Sequence, residues 1–145
     1  MPKRDLQRGR VYAWEARQVA PRDPSLVAFL AAQGMVDAIW AEMGLRYPPR
    51  VEALPAQART RIADADRLTL RLRPQSPSWC LLHELAHAMS TTQDGNSDGH
   101  GERFVGIYLQ LLVRYLRLDE AELRRSLTEA GILLMEGARP VFIDP

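Results

Sequence analysis

Apolar positions along this chain recur with two periods, near two and near 3.6 residues, and the changes of period outline its elements. Residues 10–19 alternate loosely through Val11, Ala13 and Val19, which predicts a first strand. Asp23-Pro24-Ser25 then reads as a helix start, because proline is tolerated in a first turn. Leu26, Phe29, Leu30, Ile39, Trp40 and Met43 suit an amphipathic helix that ends near Gly44, before Tyr47-Pro48-Pro49. Residues 50–54 predict a short strand. Residues 59–73 predict a hairpin with arms 60–63 and 68–72 around Asp64-Ala65-Asp66. In its second arm Leu68, Leu70 and Leu72 share one face, and Arg67, Thr69, Arg71 and Arg73 the other, which reads as a solvated face.

The second half of the chain is helical in pattern. Ser76-Pro77 predicts an N-cap followed by proline at the first helical position, in a helix that runs to about Ser90. A polar loop covers residues 91–99, and an apolar helix spans 101–117. Asp119-Glu120-Ala121-Glu122 starts another helix that closes near Gly131. The tail from Pro140 to Ile143 is an edge strand or irregular. The sum is a single α+β domain over residues 1–145. Its expected core includes Trp14, Phe29, Trp40, Leu81, Leu82, Leu85, Phe104, Tyr108, Leu111 and Leu112.

Composition narrows the functional classes. The chain is 46% hydrophobic and 26% charged, with net charge +1, the balance of an ordinary globular protein. That charge gives no pull toward nucleic acid. Cys80 is the only cysteine, so neither an internal disulfide nor a multi-cysteine zinc ribbon is available. No segment reads as a membrane span or a signal core, and cytoplasmic residence is the expectation.

All three histidines fall within residues 83–100: His83-Glu84-Leu85-Ala86-His87, then His100 between Gly99 and Gly101. On a helix His87 lies about 40° around from His83, so both imidazoles reach one ion, with Glu84 on the flank about 60° from His87. A catalytic zinc needs three protein ligands and an open position. His100 is the obvious third, and its flanking glycines permit close approach. The expected chemistry is hydrolysis of a peptide or protein substrate, with Glu84 as general base toward a zinc-activated water. Tyr47, Tyr108 and Arg103 are candidates to stabilise the oxyanion.

Alternatives stand beside this reading. Cys80, one turn before His83, could close the metal sphere in a non-catalytic, zinc-stabilised interaction module. Glu102 is a fallback third ligand, and Asp94 or Asp98 could orient an imidazole. Asp94-Gly95-Asn96-Ser97-Asp98-Gly99 matches the first half of a calcium loop, but Val105 stands where the bidentate glutamate belongs. A metal-dependent hydrolase acting on a non-peptide substrate is a further possibility.

The order His83-Glu84-x-x-His87-Ala88, a polar spacer, then Gly99-His100-Gly101 with Phe104 after it, resembles the SprT-like minimal zincins. The resemblance covers roughly residues 59–117. It implies zinc on His83, His87 and His100 and the base role for Glu84. The hairpin ending Leu68-Thr69-Leu70-Arg71-Leu72 also looks like the small sheet such proteins lay against the active-site helix, so the expected α+β domain is zincin-like: a long N-terminal helix, a small mostly antiparallel sheet on the motif helix, and two C-terminal helices. In that family the sheet edge receives an extended peptide. Relatives that act on DNA–protein crosslinks carry extra zinc-binding or DNA-binding segments, for which this chain has no spare cysteines or histidines.

Overall fold

A computed structural model describes residues 5–55 and 63–141. The architecture is α+β. In chain order it runs α1 (Arg8–Trp14), β1 (Leu26–Ala28), α2 (Phe29–Glu42), β2 (Arg50–Ala53), β3 (Ala63–Ala65), β4 (Thr69–Leu72), β5 (Gln75–Pro77), α3 (Ser78–Met89), α4 (Glu102–Leu116) and α5 (Glu120–Glu129).

The expected first strand is a helix. After α1 the chain continues through one π-helical turn, Glu15–Val19, and one 3-10 turn, Ala20–Arg22. The reason lies in spacing. Val11, Trp14, Glu15 and Val19 are buried, at intervals of three, one and four, while Ala13, half of the supposed alternation, is exposed. Trp14 anchors this helix by donating its indole N–H to Ser126 Oγ of α5 at 2.8 Å.

The long helix α2 starts at Phe29, later than the proline signal suggests. Residues 26–28 are drawn instead into an antiparallel ribbon with β5, pairing Val27 with Ser76. Leu26 and Leu30 are therefore exposed, and the buried stripe of α2 is Ala32, Val36, Ile39 and Trp40. Phe29 is half-buried against the core, and the other expected core residues are buried.

The second sheet has the order β2-β4-β3, with β2 parallel and β3 antiparallel to β4. Two of the three strand pairings are thus antiparallel, but they are divided between two small sheets. The hairpin turns at Asp66, whose Oδ1 accepts the N–H groups of Leu68 and Thr69. Asp64 and Ala65 consequently belong to β3 rather than to the turn, and Leu68 is exposed while Leu70 and Leu72 are buried. Residues 60–62 of the expected first arm lie outside the described residues.

The motif helix α3 packs on β3 and β4 and, on another side, on α4. Ser76 does not cap it: Ser76 sits in β5, and Pro77 precedes the first helical residue. Asp23 does that work from a distance, accepting the Trp79 N–H on Oδ2 at 3.0 Å. Asp119 caps α5 as expected, accepting the Glu122 N–H at 3.0 Å. Of the tail, Val141 donates its N–H to the Met89 carbonyl, and residues 142–145 lie outside the described residues. No helix of the described residues is long and apolar enough to cross a membrane.

Candidate metal centre

His83, Glu84 and His87 project from consecutive turns of α3, and His100 stands just before α4, whose packing against α3 brings the three imidazoles together. The Nε2 atoms form a near-equilateral triangle: 3.2 Å from His87 to His83, 3.2 Å from His87 to His100, and 3.4 Å from His100 to His83. One ion can touch all three, and among the described residues this is the group so placed.

The opposite ring edges explain why the nitrogens point inward. His83 Nδ1 lies 2.6 Å from Glu15 Oε2, and His100 Nδ1 lies 2.7 Å from Asp5 Oδ2. A carboxylate only accepts, so each Nδ1 carries the proton, and each ring, when neutral, presents a bare lone pair at Nε2. Lone pairs aimed at one point within 3.4 Å repel unless a cation lies between them. Burial holds the His87 pKa below the ordinary value, with the charges of His83 and His100 adding to the fall, and burial also lowers that of His100, against the opposing Asp5 carboxylate. Burial also opposes protonation of His83, but the Glu15 carboxylate outweighs it and keeps that pKa raised.

The carboxylate supports come from the N-terminal segment. Asp5 also accepts the His100 backbone N–H at 3.0 Å. Gln7 donates to the His100 carbonyl at 3.0 Å and to the Leu133 carbonyl at 3.1 Å, and it accepts the Leu133 N–H. Glu15 accepts a second hydrogen bond, from the Tyr108 hydroxyl at 2.6 Å. The glycine before His100 has a steric purpose: Gly99 takes φ +64°, and a Cβ there would lie 2.7 Å from Asp5 Oδ2.

Aromatic rings frame the cluster. Phe104, fully buried, has its ring centroid 4.3 Å from that of His87 and 5.0 Å from those of His83 and His100. Tyr12, from α1, lies 4.9 Å from His100 and 5.9 Å from His83, nearly parallel to the latter. Glu84 is buried beside the ligands, and burial pushes its carboxyl up to about 7, with Glu15 and Asp64 adding to the rise against the opposing His83.

The other candidates fall away from the triangle. Cys80 is buried and outside the ion-holding group, and burial drives its thiol well above the ordinary range, so it packs as an apolar side chain. Glu102 is exposed at the start of α4 and outside that group. Asp98 accepts the Arg103 N–H at 2.8 Å near the start of α4, and Asp94 accepts from Thr92 and Asn96 in an exposed turn. Neither orients a histidine; Asp5 and Glu15 do. Tyr108 is committed to Glu15, at the Nδ1 edge of His83, and Arg103 donates to the Arg139 carbonyl.

Asp5, Tyr12 and Glu15 escape a reading that takes residues 10–19 as a strand. Read as a helix, Arg8, Tyr12 and Glu15 fall at i, i+4 and i+7 on one face, a legible signal. Comparisons with protein-family models, with curated proteins and with solved structures find no match to this chain.

Proposed function

We propose that this chain is a zinc-dependent peptidase. The observation that carries the reading is the triangle of Nε2 atoms with Glu84 beside it. Three nitrogens about 2.0–2.1 Å from a tetrahedral zinc stand about 3.3–3.4 Å apart, and the edges here are 3.2, 3.2 and 3.4 Å. Three neutral imidazoles leave a fourth tetrahedral position, and Cys80 and Glu102 do not fill it.

A zinc ion held by His83, His87 and His100 supplies Lewis acidity, polarising a substrate carbonyl and bringing a water near its neutral-pH deprotonation point. Glu15 and Asp5 keep two ligands in the required tautomer. Glu84, buried with a carboxyl raised to about 7, is suited to take the proton of the attacking water and pass it to the leaving amine. An extended peptide or protein segment is the substrate class that this chemistry fits, and the resemblance to SprT-like zincins points the same way.

The test uses the zinc-loaded protein and a mixture of unstructured peptides followed by mass spectrometry. Glu84→Gln retains one zinc per chain and loses cleavage by about 1000-fold or more. Undiminished cleavage by that variant removes Glu84 from the mechanism. Absence of cleavage by the zinc-loaded parent protein favours the non-catalytic module.

A further inference from the structure

Peptide hydrolysis builds negative charge on the carbonyl oxygen, and sites of this kind aim a hydrogen-bond donor at it. We infer that Tyr12 is that donor: its phenol, carried by α1 on the solvent side of the three histidines, hydrogen-bonds the carbonyl oxygen of the bound peptide as charge develops there. The inference rests on the peptidase reading above and assigns a residue that the motif does not contain.

The placement carries it. The cluster is closed from the interior by Phe104, which is fully buried and lies within 5.0 Å, centroid to centroid, of all three imidazoles. At 44% exposed, Tyr12 stands between the cluster and solvent. Its ring lies against two ligands, 4.9 Å from His100 and 5.9 Å from His83. His83 and His100, the two histidines it covers, are buried. A phenol hydroxyl can donate a hydrogen bond as well as accept one. Arg8, one helical turn earlier, holds its guanidinium 5.8 Å from the Tyr12 ring centroid, which adds positive potential at the phenol.

Two competing donors are engaged elsewhere. The Tyr108 hydroxyl faces the Nδ1 edge of His83 through Glu15, away from the converging Nε2 atoms. Arg103 is engaged with the Arg139 carbonyl. Glu15, the support for His83, follows Tyr12 by three residues, just past the end of α1, so it lies on the same side of the continuing helix as the proposed donor.

The test compares Tyr12→Phe with the parent, both zinc-loaded, using acetohydroxamate as the probe. This small anionic chelator places an oxygen on the ion where the carbonyl oxygen of a substrate would sit. The variant keeps the ring and loses only the hydroxyl, so its melting temperature and its zinc affinity, measured by competition with a chromophoric chelator, stay within about twofold of the parent. Acetohydroxamate affinity falls about tenfold, the loss of one hydrogen bond to a charged acceptor. On a peptide that the parent cleaves, kcat falls about 100-fold while KM changes little.

Equal acetohydroxamate affinity in parent and variant overturns the assignment while leaving the metal reading intact. A loss that appears in zinc affinity instead makes Tyr12 a wall for the histidines and likewise overturns it. A parent protein that takes up no zinc, or binds no acetohydroxamate once loaded, overturns the peptidase reading and this assignment with it.

Discussion

A histidine presents one lone pair only when its other nitrogen holds a proton, so the identity of the group at Nδ1 decides what Nε2 can do. In this chain two carboxylates make that decision, Glu15 for His83 and Asp5 for His100. Asp5→Asn and Glu15→Gln keep the size and surrender the negative charge. Each should weaken zinc binding by on the order of 10- to 100-fold, read by chelator competition. An unchanged affinity in both variants would show that the ring orientation is set elsewhere. The residues written into the motif, His83, Glu84, His87 and His100, were legible because one helix and one short loop bring them together. Asp5 and Glu15 were not, since each lies far along the chain from its histidine, and the helical face that groups Glu15 with Arg8 and Tyr12 was hidden by reading that segment as a strand.

At the scale of elements, the N-terminal helix departs furthest from expectation. Its buried residues follow a helical interval, but Val11 and Ala13 mimic an alternation, and a short segment offers few repeats to separate the two periods. The helices α3 and α4 were legible because each carries a long apolar stripe, and α5 because Asp119 is a true local cap. The start of α3 was misread because its cap comes from Asp23, a tertiary contact. Two substitutions separate the possibilities in thermal or urea unfolding. Asp23→Ala should cost about 1 kcal/mol, as the loss of an N-cap does. Ser76→Ala should be neutral or slightly stabilising, by up to about 1 kcal/mol, because the Ser76 hydroxyl is buried without a hydrogen bond to the described residues. The reverse order would restore Ser76 as the cap.

For the molecule as a whole, the candidate metal centre is where the N-terminal and C-terminal parts of the described residues meet the middle. Residues 5–15 support the histidines, and Gln7 ties His100 to Leu133 of the C-terminal segment. An ion bound in that place stabilises the folded state by mass action, about 4 kcal/mol when present at 1000 times its dissociation constant. Removing it with a chelator should lower the melting temperature by roughly 10 °C. An unchanged melting temperature would mean that the native chain gains nothing from the ion. The α+β class was visible in the sequence. The division into two small sheets was not, since pairing Val27 with Ser76 is a long-range choice that local pattern does not encode.

The ligand set itself is open to inspection by X-ray absorption at the zinc K edge on the loaded protein. Three imidazole nitrogens and one further light atom, all about 2.0–2.1 Å from the metal, are the expected shell, with no sulfur. A sulfur contribution near 2.3 Å would bring Cys80 into the sphere and close the position that hydrolysis needs, and a shell with fewer than three imidazoles would break the triangle on which the proposed chemistry stands.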